Sequence, residues 1–133
     1  MAAADPGVQP DGTGRRLAYL PAALLGNGSL LLTFSGRGEV ERMLWPHVDG
    51  PDNIGELRLG VRRGRDLGWL DEEPAAWRQR WDGDASILRT TVTAAGVTTE
   101  IVDVVDPAEP VLVRRIETSA GSLVVAVVPR RHA

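Results

Sequence analysis

Asp71, Glu72 and Glu73 are the first residues of this chain with the makings of an acid and a base. Cleaving a glycosidic bond takes two carboxyls held a defined distance apart across a cleft, one giving a proton and one activating water or attacking. Neighbours in a polar turn do not supply that separation, so the trio reads as a solvated loop. His47 is the one histidine outside the tail, His132 being the penultimate residue. A lone imidazole makes no zinc site, and no serine stands on a sharp strand-to-helix elbow for it to activate. Asp49, Asp52, Asn53 and Glu56 offer oxygens to a cation, but their spacing is not that of a twelve-residue calcium loop. Turns closed by Asx side chains account for them better, and no metal ligand set is assigned. The four tryptophans, Trp45, Trp69, Trp77 and Trp81, outnumber the single Tyr and single Phe. Their faces suit sugar stacking, with Trp45 and Trp69 the candidates, yet burial in a core is the commoner use of so large a ring, and most of the four are expected there. Gly26-Asn27-Gly28 precedes a strand pattern, so its amides lack the helix N-terminus that makes a phosphate cradle.

Composition narrows the rest. The chain has 133 residues and 43% hydrophobic content, enough for one domain with a core. It contains no Cys, which removes disulfides, thiolate nucleophiles and cysteine-held metals. All 15 basic residues are Arg, so neither a Schiff base nor a phosphate-loop lysine is available. A net charge of −3, with the Arg pairs 62/63, 114/115 and 130/131 on separate segments, argues against nucleic acid. Residues 1–16 are rich in Gly, Pro and Asp and read as a flexible lead-in with no signal-peptide core. The longest apolar run, Leu123 to Val128, is far short of the ~20 residues of a membrane helix. The expectation is a cytoplasmic protein with no cofactor and no membrane contact.

The elements that must position these residues read as strands. Ser29 to Phe34 and Glu39 to Trp45 flank Gly36-Arg37-Gly38 and predict a hairpin. Glu56 to Arg62 alternates, with Leu57, Leu59 and Val61 on one face. A turn at 63–66 leads to a short segment around Trp69. Ser86 to Thr93 and Val97 to Val105 flank Ala94-Ala95-Gly96 and are rich in β-branched Thr and Val. Val111 to Thr118 and Leu123 to Val128 predict a last pair around Ala120-Gly121, the second of them apolar on both faces and so central. Ala18 to Leu25 and Pro74 to Trp81 leave a helix open, the latter because Trp77 and Trp81 stand at i, i+4. The sum is about eight or nine strands in an all-β antiparallel β-sandwich with few or no helices, spanning 17–133.

The ordered motifs, more than the composition, carry a resemblance. Leu25-Gly26-Asn27-Gly28, then Gly38-Glu39-Val40, then Trp45-Pro46-His47-Val48-Asp49 resemble the N-terminal region of bacterial glycoside hydrolase family 15 proteins, the glucoamylase-like, glucodextranase-like and trehalase-like enzymes. Trp81, Asp84 and Ile87-Leu88-Arg89-Thr90 resemble a further strand of that region, with Ala85 and Ser86 where Thr and Asn are usual. Gly96 to Asp103 is similar to its strand ending Asp-Phe-Met-Pro, with Val104 and Val105 in place of Phe-Met. Leu112-Val113-Arg114-Arg115-Ile116-Glu117, Gly121 and Pro129-Arg130 match its last run. The resemblance covers residues 17–131.

It implies a partial β super-sandwich, incomplete on its C-terminal side, that packs beside an (α/α)6 barrel. The parent enzyme would cleave terminal α-glucosidic bonds by inversion, with both catalytic glutamates on the barrel. No residue here matches either, so no catalytic residue is assigned and the chain alone is expected to be inactive. Pro46, His47 and Asp49 would edge the substrate mouth or the barrel interface, with an α-glucan or trehalose as the sugar. Two other readings stand beside this one: an independent carbohydrate-binding module with an exposed Trp platform, and a structural or interaction domain without a sugar. Trp exposure separates the module from the scaffold. Self-association through an uncovered Leu123 to Val128 is a further expectation.

Overall fold

In the computed structural model the described residues are 22–72, 75–83 and 85–130. The lead-in, the start of the domain, and Glu73, Pro74, Asp84 and the last three residues lie outside them. Ten strands follow one another: β1 (Ala23–Gly26), β2 (Leu31–Phe34), β3 (Val40–Leu44), β4 (Ile54–Arg63), β5 (Asp66–Trp69), β6 (Ala75–Trp81), β7 (Leu88–Ala94), β8 (Val97–Val105), β9 (Leu112–Thr118) and β10 (Ser122–Pro129). The expected all-β antiparallel, sandwich-like fold is what forms, with no helix among the described residues. The helix left open at 74–81 is a strand instead, because β6 pairs with β7 over seven consecutive residues, which satisfies more backbone groups than a two-turn helix leaves satisfied. The part of Ala18 to Leu25 that is described is likewise strand.

Three sheets make two layers. The large one runs β6-β7-β8-β9, and two smaller ones, β1-β2-β3 and β10-β4-β5, face it. Alternation sets the inner face of the large sheet: Leu88, Thr90, Val92 and Ala94 on β7 and Val97, Thr99, Ile101 and Asp103 on β8 are all buried. Leu88 packs in one cluster with Leu25, Leu32 and Phe34 of the first small sheet. Val92, Val97 and Ile101 pack in a second with Leu59 and Val61 of β4. The β4 face read from its alternation is the one that is buried or half-buried.

Between the clusters the β2–β3 turn plugs into the middle of the large sheet. The Trp77 ring occupies the space a side chain at residue 36 would need, which is why Gly36 sits there. Gly38 has φ +80 and presses on Thr90 and Ile101. Gln79 donates to the Ser35 carbonyl at 2.8 Å and to Thr90 Oγ1 at 3.1 Å. Arg114 Nη2 donates to the Gly38 carbonyl.

The last two strands depart from expectation. They do not form a hairpin: β9 pairs with β8, whereas β10 crosses to the opposite layer and pairs with β4. The link through Gly121, at φ +74 and packed under the Arg62 carbonyl, turns the chain from one layer into the other. Nor is β10 central. It is an edge strand, with Val125, Val127 and Val128 each about half exposed.

Candidate functional site

The nine residues between β3 and β4 hold the densest polar cluster, and they divide into a locked base and an exposed tip. Asp52 makes the base: its Oδ1 accepts from the backbone N–H of Met43 and of Ile54, both at 3.1 Å, and its backbone bridges to Leu44. Arg130 reaches its other oxygen at 3.6 Å. Asn53 donates through Nδ2 to the carbonyls of Pro51 at 2.9 Å, Met43 at 3.2 Å and Trp45 at 3.3 Å. These two side chains are therefore committed to backbone groups, as the Asx reading of the segment required, and are not free to ligate a cation. Among the described residues no group of three or more His, Cys, Asp or Glu side chains is placed to hold a metal ion.

The tip is Trp45, Pro46, His47, Val48 and Asp49, and all five are exposed. A cis peptide bond joins Trp45 to Pro46, and the Gly50 N–H closes the turn on the His47 carbonyl at 2.8 Å. Trp45, 48% exposed, forms one wall of an open cleft of about 300 Å³ whose other walls are Leu30, Met43, Asn53 and Pro110. A half-open indole beside a mostly apolar cleft, with an imidazole and a carboxylate two residues apart on the same loop, matches what a sugar ring asks for. Its C–H face takes a stacking surface and its hydroxyls take polar groups. The tip has no Ser, Thr or Cys nucleophile, and the loop's other carboxyl, Asp52, is held by backbone N–H groups rather than left to share an acid and a base role with Asp49.

The other candidates lie elsewhere. Trp69 is half-buried, and the Arg58 guanidinium stands over its ring at 4.4 Å, where a sugar would have to stack. Asp71 and Glu72, from the acidic trio, hold that guanidinium: Nε and Nη2 meet the two Asp71 oxygens at 3.0 Å, and Nη2 meets Glu72 at 2.6 Å. The hydrogen bond to Asp71 leads in holding the Arg58 pKa well above its ordinary value. The pair thus clamps a cation over a ring.

The expectation that most tryptophans are core is corrected. Of the four only Trp77 packs against a buried cluster, while Trp45 and Trp81 are 48% and 45% exposed. Trp81 follows Trp77 and Gln79 on the inner face of β6, but at the strand's end, where it lines a second cleft of about 210 Å³ with Ala22, Gln79, Arg80 and Leu88. A strand reading of 75–81 puts Trp81 on the same face as Trp77, and only the extent of the facing layer leaves it half exposed.

The remaining motifs sit at joints. Asn27 Oδ1 accepts from the N–H of Ser29 and Leu30 at 3.1 and 3.0 Å, while its Nδ2 donates to the carbonyls of Asp106 and Glu109 at 2.8 Å each. It thereby ties the β1–β2 turn to the β8–β9 loop. Asp103, fully buried, receives Arg114 Nε at 2.6 Å and Nη2 at 3.0 Å across a β8–β9 rung. Burial pushes the Asp103 carboxyl above its ordinary range, against the opposing pull of Arg114. Among the described residues no helix is long and apolar enough to cross a membrane. Compared with protein-family models, with curated proteins and with solved structures, the chain matches none of them.

Proposed function

We propose that the chain is the non-catalytic β-sandwich unit of a family 15-like glycoside hydrolase, a cytoplasmic scaffold that presents the Trp45–Asp49 loop to a helical catalytic barrel or to the mouth of its sugar site. The observation that carries this reading is the division of labour among the motifs behind the resemblance. Asn27, Gly38, Asp103 and Arg114 are engaged in holding turns and sheets together. Among the described residues the side chains of Trp45, Pro46, His47 and Asp49 make no comparable contact, and they stand exposed on a locked base. A fold built this way is suited to offering one rigid edge, and carboxyls on a partner would do the chemistry.

A second reading has its own support. Trp45 and Trp81 are both about half exposed, which favours a sugar-binding module acting by itself. Titration of the purified chain with maltooligosaccharides, dextran and trehalose, followed by tryptophan fluorescence and calorimetry, separates the two. The scaffold reading expects neither hydrolysis nor saturable binding of the free sugars. It also expects a genomic neighbour or continuing reading frame that encodes a helical barrel with two glutamates. Saturable binding lost in Trp45→Ala overturns it in favour of the module, and turnover that survives repurification of the chain overturns both.

A further inference from the structure

The β10 edge stands apart from every other edge of the described fold. The strand runs Ser122-Leu123-Val124-Val125-Ala126-Val127-Val128-Pro129 without one charged residue. Its pairing with β4 opposes Val125 to Leu59 and Val127 to Leu57, and opposite residues of an antiparallel pair point to the same side. Leu123, Val125 and Val127 therefore continue the core-facing surface of β4, yet Val125 and Val127 are 48% and 56% exposed. The core face extends past the layer that should cover it. The other edges carry the usual protection against strand pairing. Strands β1 and β5 have four residues each, β3 has Glu41 and Arg42, β6 has Arg78 and Arg80, and β9 has Arg114, Arg115 and Glu117.

We infer that β10 is a homodimer interface, in which a second copy of this chain adds its own β10 antiparallel about a twofold axis. Charge picks the occupant. Across a twofold each strand meets itself, so an edge bearing Arg would set like charges near one another, whereas β10 sets only Val, Leu, Ala and Ser against themselves. Pro129 has no N–H for a ladder, so pairing ends at Val128. Matching Val128 to Ser122 centres the axis on Val125, with Leu123 opposite Val127. Both copies then contribute Leu123, Val125 and Val127 to one continuous apolar row. The product is a six-stranded sheet, β5-β4-β10 and its symmetry mate. Growth stops there, because the outer edges are the four-residue β5, which begins with Asp66.

The absence of cysteine makes the register directly testable. Sedimentation of the full chain over a micromolar concentration series should show a monomer–dimer equilibrium. Val127→Lys should shift it to monomer by an order of magnitude or more in Kd, with far-UV circular dichroism confirming the fold. Val125→Cys should give a covalent dimer under mild oxidation, and Leu67→Cys, on the opposite edge and 42% exposed, should not. A wild-type chain that stays monomeric throughout overturns the proposal and leaves the edge to a different chain. Equal cross-linking at 67 and 125, or growth beyond dimer, overturns the twofold register.

Discussion

Removing either half of the Asp103–Arg114 pair should be the most damaging single polar change in this fold. Asp103 is fully buried and the Arg114 side chain is 10% exposed, so neither has water to fall back on. Arg114→Met leaves a buried carboxyl with no cation opposite, and Asp103→Asn leaves a buried guanidinium with the Gly38 carbonyl and a weaker neutral acceptor. Breaking one side of such a pair costs about 3–5 kcal/mol. That is a large share of the ~5–15 kcal/mol that hold a domain of this size together. Replacing both with Asp103→Leu and Arg114→Met removes the unpaired charge along with the pair, and should recover most of the loss. Urea unfolding read by tryptophan fluorescence gives each term of the cycle.

The pH dependence carries a second signature. Because burial raises the Asp103 carboxyl in the folded state, that state holds the proton more tightly than the unfolded chain does. The contribution to stability is thus complete below the ordinary value of 3.8 and falls as pH rises through the raised one. Asp103→Asn should abolish this slope. Single changes costing under about 1 kcal/mol, or a wild-type stability that rises with pH just above 3.8 and keeps that slope in Asp103→Asn, would refute the reasoning.

Ala95 sits at φ +51 in the two-residue turn joining β7 and β8, so Ala95→Asn, which makes the favoured Asn-Gly pair with Gly96, should raise stability by about 0.5–1 kcal/mol in thermal melts. Gly36→Ala should cost about 1–3 kcal/mol, because a methyl there meets the Trp77 ring, and should shift tryptophan emission as that ring moves. Asn27→Ala removes both the turn clamp and the tie to Asp106 and Glu109; a loss of about 1–3 kcal/mol, with faster amide exchange in the β8–β9 loop, is expected.

The strands were legible because their signals are local. Period-two alternation in β4, Thr and Val enrichment in β7 and β8, and Gly-marked turns each act within a few residues. Pairing was less so. Alternation places Leu123 to Val128 in a strand but is silent on its neighbour, and sequence adjacency pointed to β9 when the partner was β4, whose paired residues lie 60 or more positions away. The helical spacing of Trp77 and Trp81 misled for a related reason: i, i+4 is one face of a strand as well as of a helix, and only the β7 ladder decides.

The candidate site divides along the same line. Its chemistry was readable because Trp, His and Asp side chains on a Pro- and Gly-punctuated loop are recognisable by type. What could not be read is which of them tertiary contacts would consume. Asp52 and Asn53 look as available in sequence as Asp49, and Trp69 looks as available as Trp45. The difference arises from partners that the strand pairing brings alongside: the N–H of Met43, the guanidinium of Arg58, and Asp71 and Glu72 behind it. A polar or aromatic residue becomes a candidate for binding only after the fold has declined to use it. Trp81 stands half exposed at a cleft of its own, but the left-over residues that combine an indole, an imidazole and a carboxylate gather on the loop from Trp45 to Asp49, which is why that loop, rather than Asp71 and Glu72, is where a small ligand should be sought.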